Sequence, residues 1–146
     1  MPQLRPEILL VDDNPADLDL EREALARTRR PNHISSVNDG EQALAFLRRQ
    51  QGYEAAPRPD LVVLDLNLPR RDGRMVLAEA KTDSHLRTIP IVVFTTSRSR
   101  QDIQRSYELG ANSYVSKPGS LHDFFSAVQA IEKFWFDCAT VPEKEN

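Results

Sequence analysis

A chain of 146 residues is the size of one ordinary domain, so its function is expected from a single hydrophobic core. With 28% charged residues and a formal net charge of −3, it lacks the basic excess that favours nucleic acid or an anionic membrane as a partner. No apolar run approaches the roughly 20 residues that span a bilayer, and the N-terminal residues MPQLRPE lack the apolar core expected of a signal peptide. The single cysteine, Cys138, cannot form an internal disulfide, which favours a reducing, cytoplasmic location.

Short apolar runs predict the β-strands, because they have strand length and are rich in β-branched residues. Continuous rather than alternating hydrophobicity is typical of strands buried on both faces of a parallel sheet. The four clear runs are Glu7–Val11, Leu61–Leu64, Ile89–Phe94 and Asn112–Ser116, and His33–Val37 is a weaker fifth candidate.

Helical patterns separate these runs, and most begin at a residue that can cap a helix. The predicted starts are Asn14–Pro15, Asp39 with Gln42 as its capping-box partner, Asp72–Gly73, about Ser99 and about Ser120. Gly110 is predicted to end the fourth helix. Strand and helix therefore alternate five times, which predicts an α/β fold with a doubly wound, five-stranded parallel sheet and five helices.

Polar side chains follow four of the predicted strands, at the point where each strand ends. Asp12 and Asp13 follow the first strand, Asp65 the third, Thr95 the fourth and Lys117 the fifth. Ligands of doubly wound sheets bind just beyond the carboxyl ends of the strands. These five side chains are therefore expected to converge on one edge of the sheet.

Their chemistry indicates phosphoryl transfer. Clustered carboxylates repel one another and usually indicate a divalent cation, and Mg²⁺ prefers hard oxygen ligands. A carboxylate beside such an ion can attack a phosphoryl group and form an acyl phosphate. A lysine and a hydroxyl can hold the remaining phosphoryl oxygens. Any one of these residues could be an ordinary turn or cap residue, but four complementary strand ends in order favour a site.

Four segments carrying these residues resemble the receiver domain of bacterial two-component response regulators. They are LLVDDNPAD, LVVLDLNLPRRDG, IVVFTTS and GANSYVSKP, and the resemblance extends over about residues 7–135. It implies the flavodoxin-like topology with strand order 2-1-3-4-5. It also implies that Asp65 is the phosphoacceptor, which takes a phosphoryl group from a phosphohistidine of a sensor histidine kinase. The protein would then be a signalling protein and not an enzyme in the usual sense.

The resemblance implies further roles by position. Asp13 and Asp65 would bind Mg²⁺ through their side chains, Asp12 through water, and Asn67 through its backbone carbonyl. Lys117 would contact the phosphoryl group, and the Lys117–Pro118 peptide bond would be cis. Thr95 and Tyr114 would form the switch pair that responds to phosphorylation.

Two positions near the site are expected to tune the loss of the phosphoryl group. They are Asn67 and Ser97, two residues beyond the phosphoacceptor and beyond the switch threonine. Ser97 has neither a carboxylate nor an amide with which to orient an attacking water. We therefore expect spontaneous dephosphorylation to be slow.

Three further segments resemble stand-alone response regulators paired with phytochrome-type sensor histidine kinases. They are DDNPADLDL, GYEAAPRPDL and IEKFWF. The expected organisation is a receiver domain over residues 7–138 with an extended last helix, a short tail over residues 139–146, and no output domain. Output would then occur by docking to an unknown downstream protein, or the protein would serve as a phosphate sink or phosphorelay intermediate.

The last helix predicts a homodimer. At 100° per residue, its sheet-facing stripe comprises Leu121, Phe124, Phe125, Val128 and Trp135. Ala127, Phe134 and Cys138 fall on a neighbouring face with Ile131 at its boundary, so Ile131, Phe134 and Cys138 are the candidate dimer patch. The alternative is that these residues only broaden the core beneath an extended helix.

Three rival functions share parts of the pattern. A phosphatase of the haloacid-dehalogenase type also uses an aspartate nucleophile and Mg²⁺, but it requires a second aspartate where this chain has Asn67. A flavodoxin-like cofactor protein would need a phosphate-binding loop after the first strand, where Asp12 and Asp13 stand. A degenerate receiver used only for binding would have little use for the acidic cluster and Lys117.

Overall fold

The computed structural model describes residues 5–143, and strands and helices alternate along them as predicted. The elements are β1 (Glu7–Val11), α1 (Pro15–Ala26), β2 (His33–Val37), α2 (Gly40–Arg48), β3 (Leu61–Leu64), α3 (Gly73–Thr82), β4 (Ile91–Thr95), α4 (Arg100–Glu108), β5 (Ser113–Ser116) and α5 (Leu121–Lys133). A π-helical turn, Phe134–Cys138, continues α5. None of the helices in this part of the chain is long and apolar enough to cross a membrane.

The five strands form one parallel sheet in the order β2-β1-β3-β4-β5, which confirms the predicted topology. Hydrophobic clusters cover both faces, which explains why the strand sequences are apolar without alternation. Leu9 and Val62 belong to the cluster beneath α2 and α3, whereas Leu10 and Val63 belong to the cluster beneath α1 and α5. The sheet is thus a closely packed scaffold that positions the polar groups at its carboxyl edge.

The predicted caps begin all five helices. Asn14 accepts hydrogen bonds from the backbone of Ala16 and Asp17, with Pro15 at the first helical position. The capping box of α2 differs in one detail, because the Gln42 side chain accepts a hydrogen bond from the backbone of Asn38 rather than of Asp39. The sequence therefore determines where each helix begins, through local hydrogen bonds.

The buried face of α5 differs from the prediction at both ends. Leu121 is 60% exposed because it is the first residue of the helix and the core begins only at Phe124. Ile131 was placed at the edge of an exposed dimer patch, but it is only 8% exposed and packs in the core. The reason is spacing, since Ile131 lies seven residues after Phe124 and three after Val128, on the same stripe.

The π-helical turn determines which aromatic residues face the core beyond Lys133. Trp135 and Phe136 pack partly buried against the cluster beneath α1 and α5, whereas Phe134 is about half exposed. The backbone of Ala139 donates to the Phe134 carbonyl at 2.7 Å across the wider turn. The stripe computed at 100° per residue places Trp135 and Phe134 correctly in this turn, whereas the packing of Phe136 was not predicted.

Gly73, the first residue of α3, packs closely against the backbone of Asp65 and Leu66. A Cβ added at Gly73 would lie 2.3 Å from the Asp65 carbonyl oxygen and 2.6 Å from Leu66 Cα, and neither backbone atom can rotate away. Gly73→Ala should lower the free energy of unfolding by about 1–3 kcal/mol, measured by urea denaturation. Gly119→Ala is the matched control, because a Cβ there meets no atom within 4 Å. Equal stability of the two variants would contradict the close packing.

Candidate functional site

The register of the sheet brings the predicted strand ends together. Val11 pairs with Leu64, so Asp12 and Asp65, the next residues, are neighbours at the carboxyl edge. The backbone of Asp65 donates to the Val11 carbonyl at 2.9 Å, and that of Lys117 donates to the Thr95 carbonyl at 2.7 Å. Backbone hydrogen bonds thus extend one residue beyond the strands and hold these residues in place.

Asp12, Asp13 and Asp65, here called the acidic trio, form a group that fits a divalent cation. Each offers a carboxylate oxygen, and these oxygens lie within 4.8 Å of one another. Asp12 and Asp65 are buried, whereas Asp13 is exposed and keeps the trio open to solvent. Three hard oxygen donors at this separation match the preference of small divalent cations. The structure therefore supports the prediction of a cation site at this edge.

Backbone amides orient the two buried carboxylates. The backbone of Asn14 donates to Asp12 Oδ1 at 2.9 Å, and that of Asn67 donates to Asp65 Oδ1 at 3.2 Å. Asn67 is thereby fixed beside Asp65, with its own side chain exposed.

Lys117 joins the site from the end of β5. Its Nζ donates to Asp12 Oδ2 at 2.6 Å, to Asp17 Oδ2 at 2.8 Å and to Asp65 Oδ2 at 3.0 Å. Burial by itself lowers the pKa of Lys117, but the hydrogen bonds to Asp12 and Asp17 outweigh it and raise the pKa above its ordinary value. Lys117 is therefore a permanently charged ammonium group among carboxylates.

The peptide bond after Lys117 corrects one expectation. The resemblance implied a cis bond between Lys117 and Pro118, but residues 5–143 contain no cis peptide bond. Lys117 Nζ makes all three of its carboxylate contacts with this bond trans.

Thr95, the last residue of β4, carries a hydroxyl with unused hydrogen-bonding capacity. The residue is fully buried, and within residues 5–143 its Oγ1 has no hydrogen-bond partner. A buried polar group without a partner is costly, so the hydroxyl would gain by donating to an oxygen brought to this edge.

The segment after β4 connects Ser97 and Tyr114 to neighbouring helices. Tyr114 donates its hydroxyl to the Ser97 carbonyl at 2.8 Å. The Ser97 hydroxyl donates to Asp102 at 2.5 Å, and Arg74 of α3 donates to the same carboxylate at 2.6 Å. The hydrogen bonds from Ser97 and Arg74 lower the pKa of Asp102. The Ser97 hydroxyl is thus already engaged in the helix α4 contact.

Sequence reasoning missed two acidic residues that α1 contributes to the site. Asp17 contacts Lys117, as described above, and Glu21 lies one turn further along the helix. Glu21 is only 1% exposed, and its Oε2 has no partner among the described residues. A signal was present, because Glu21 lies three and four residues before the buried Ala24 and Leu25, on the apolar stripe of α1.

The candidate dimer patch lies apart from these residues, in α5 and the π-helical turn. Of its three members, Phe134 and Cys138 are exposed, and Ile131 is buried.

The geometry agrees with a comparison to known families. The family model of the response regulator receiver domain matches residues 8–129, from β1 into α5. The chain belongs to this family. Receiver domains are the phosphoacceptor modules of two-component signalling, and their acidic cluster binds a divalent metal.

Individual relatives narrow the resemblance. The chain is 47% identical to response regulator Rcp1 of Synechocystis sp. over 135 residues, which cover 92% of each protein. It is 41% identical to FilR2, a probable methanogenesis regulatory protein of Methanothrix harundinacea, over 88% of this chain and 82% of the relative.

Solved structures lead to the same group of proteins. The phosphorylated cyanobacterial phytochrome response regulator RcpA superposes with a TM-score of 0.92 at 47% identity, over 95% of this chain and 99% of RcpA. The Mn²⁺-bound form of Rcp1 superposes with a TM-score of 0.91 at 46% identity, over 94% and 99% of the two chains. The protein is thus similar throughout to response regulators of phytochrome signalling.

The buried Glu21 predicts how stability depends on pH. Burial, with repulsion from Asp12 as a smaller cause, raises the pKa of Glu21 from 4.5 to about 8. Between these values folded Glu21 keeps a proton that the unfolded chain loses, so the free energy of unfolding falls as the pH rises. The slope from this group is at most about 1.4 kcal/mol per pH unit, and the loss is complete above the folded pKa.

Glu21→Gln removes this proton equilibrium. Relative to wild type, the variant should gain stability steadily between pH 5 and pH 8, measured by urea denaturation at each pH. Glu41→Gln, which changes an exposed glutamate of α2, should keep the wild-type pH profile. A Glu21→Gln profile parallel to that of wild type would contradict the shifted pKa.

Proposed function

We propose that the protein is a response regulator that accepts a phosphoryl group on Asp65 from a phosphohistidine of a sensor histidine kinase, in a Mg²⁺-dependent reaction in the cytoplasm. The observation that supports this most directly is the convergence of Asp65 with Asp12 and Lys117 at the carboxyl edge of the sheet. Phosphorylation would alter docking to a downstream protein.

The transfer proceeds by nucleophilic attack. A carboxylate oxygen of Asp65 forms a bond to phosphorus while the bond from phosphorus to the donor imidazole nitrogen breaks. The electron pair of that bond remains on the imidazole nitrogen, and Asp65 becomes an acyl phosphate. Lys117, 3.0 Å from Asp65 Oδ2, is placed to hold a phosphoryl oxygen, and the unpartnered hydroxyl of Thr95 can donate to another.

The acidic trio is the part of the site that would hold Mg²⁺. Asp13 and Asp65 would supply side-chain oxygens, Asp12 would act through water, and the backbone carbonyl of Asn67 would complete the protein ligands. The bound cation would offset the charge of the carboxylates and of the incoming phosphoryl group. Hard oxygen donors and an open, exposed Asp13 support this assignment.

Thr95 and Tyr114 would carry the signal away from the site. Thr95 is buried without a hydrogen-bond partner among the described residues. Ser97 lies two residues after Thr95, and its backbone carbonyl accepts a hydrogen bond from the Tyr114 hydroxyl. A Thr95 hydroxyl drawn to the phosphoryl group would shift this segment and bias its packing between two arrangements.

Chemical phosphorylation tests the acceptor. Wild type incubated with Mg²⁺ and acetyl phosphate should gain the mass of one phosphoryl group, measured by intact mass spectrometry, and chelation of the cation should prevent the gain. Asp65→Asn should gain nothing, because it lacks the nucleophilic carboxylate. Asp60→Asn is the matched control, since Asp60 is also buried but precedes β3 at the opposite end of the strand. Loss of the mass gain in both variants would contradict the assignment of Asp65.

The same sample gives the rate of dephosphorylation. Ser97 has no group that orients water as a carboxylate or amide would, and its hydroxyl is engaged with Asp102. After the donor is removed, the added mass should persist for minutes or longer. A lifetime of seconds would contradict the proposed part of Ser97 and Asn67 in tuning this rate.

The kinase partner is proposed from the relatives, since RcpA is a cyanobacterial phytochrome response regulator and covers nearly the whole chain. A phytochrome-type sensor histidine kinase should phosphorylate this protein at a rate that differs between light and dark. The measurement is transfer of radiolabelled phosphate from the autophosphorylated kinase, with a light-insensitive histidine kinase as the control. Equal rates in light and dark, or faster transfer from the control kinase, would reject the phytochrome pairing.

A homodimer is proposed through Phe134 and Cys138 at the end of the chain's last helical segment. The ring of Phe134 is about half exposed and stacks edge-on against Trp135, which leaves an apolar surface for a second copy. Phe134→Ser should shift sedimentation toward the monomer, whereas Leu121→Ser, which changes a similarly exposed apolar residue at the other end of α5, should not. A wild-type protein that sediments as a monomer would remove this proposal.

A further inference from the structure

Lys117 uses its hydrogen-bonding capacity completely. A lysine ammonium has three N–H donors, and Lys117 Nζ has three carboxylate partners at 2.6, 2.8 and 3.0 Å. Two of these partners, Asp12 and Asp65, also belong to the acidic trio that fits a cation. Asp17 is the partner that does not belong to the trio.

This division matters once a divalent cation is present. A cation held by the trio would draw on the negative charge of Asp12 and Asp65 and would repel the nearby ammonium group. Both effects would weaken the electrostatic attraction of Asp12 and Asp65 for the Lys117 ammonium group. Asp17 keeps its full charge available to Lys117, because it is not a ligand of the cation.

The position of Asp17 in the fold suits such a role. It lies in the first turn of α1, where the helix dipole stabilises a negative charge, and its backbone donates to the Asn14 cap at 3.2 Å. Its side chain is 22% exposed, compared with 4% for that of Lys117, so the contact is shielded from water mainly on the lysine side. The backbone that carries the Asp17 carboxylate is therefore fixed before a phosphoryl donor arrives.

Glu21 does not compete for this contact. Its carboxyl group lies one turn further along the same helix, and its pKa is raised to about 8, chiefly by burial, so it is mostly uncharged at neutral pH. Asp17 is thus the charged residue that α1 offers to Lys117.

We propose that Asp17 is a positioning residue for phosphoryl transfer, which holds the Lys117 ammonium beside Asp65 when a divalent cation occupies the acidic trio. The inference rests on the proposed phosphorylation of Asp65 and adds a residue to which the sequence analysis assigned no role. Asp17 touches neither the phosphoryl group nor the cation and acts only through Lys117.

The test compares phosphorylation rates at saturating Mg²⁺ over a range of acetyl phosphate concentrations, followed by intact mass. Asp17→Asn should lower the maximal rate constant about tenfold, as expected for the loss of one charge-assisted hydrogen bond. The half-saturating donor concentration should stay near that of wild type, because Asp17 does not contact the donor. Asp17→Glu, which restores a carboxylate, should recover part of the rate.

The control is Asp19→Asn, which removes the same charge from an exposed residue of the same helix. It should phosphorylate at the wild-type rate. Asp17→Ala is a second variant without the carboxylate, and it should fold well because alanine has the highest helix propensity. Urea denaturation checks that each variant is folded.

The outcomes separate this inference from the proposed function. Wild type that gains no phosphoryl group would overturn the proposed function and this inference with it. Wild type that is phosphorylated, with Asp17→Asn and Asp17→Ala at the same maximal rate, would overturn only the positioning role of Asp17. An equal slowing by Asp19→Asn would also overturn it, because the effect would then come from net charge and not from the contact with Lys117.

Discussion

The charge balance around Lys117 is the interaction on which the site depends. One ammonium group lies within 3.0 Å of carboxylate oxygens from Asp12, Asp17 and Asp65, which the chain brings from β1, α1 and the end of β3. Without a positive charge these groups would repel one another in a largely buried setting. Lys117 therefore stabilises the arrangement in the absence of any ligand, and a single ammonium leaves an excess of negative charge. That excess is what makes the edge suited to a divalent cation.

The sheet is what allows so much charge to be concentrated. Its three central strands, β1, β3 and β4, are buried on both faces by two hydrophobic clusters, and the parallel register ends β1 and β3 at neighbouring positions. The apolar layers supply the folding free energy, so the residues beyond the strand ends are free to be chosen for chemistry. The apolar strands and the polar residues that follow them are adjacent in sequence, but the strands stabilise the fold and the polar residues carry the chemistry.

This separation explains how much the sequence could predict. Asp12, Asp65 and Lys117 were found because strand ends of a parallel sheet must meet, whatever the details of packing. Asp17 was not found, because its contact depends on how α1 is rotated against the sheet. The exposed Leu121 and the buried Ile131 show the same limit, since a helical stripe predicts a face but not where the core begins and ends along it.

The hydrogen bonds that surround Ser97 and Asp102 were equally beyond prediction. Nothing in the residues around Ser97 indicates that its hydroxyl donates to Asp102, or that Arg74 from α3 contacts the same carboxylate. These contacts depend on two helices whose relative position only the folded chain defines. The trans bond before Pro118 is a further case, because the resemblance suggested the other isomer.

These distant contacts also indicate how far a change at Asp65 could reach. Thr95 is the last residue of β4, and Ser97 follows after one intervening residue. Ser97 is bound through its carbonyl to Tyr114 of β5 and through its hydroxyl to Asp102 of α4, which Arg74 ties to α3. A movement of Thr95 that is large enough to form a new hydrogen bond would therefore strain contacts with β5, α4 and α3 at once. Since packed interfaces tend to have discrete rather than continuous arrangements, such strain favours a switch between two states of the β4–α4 segment.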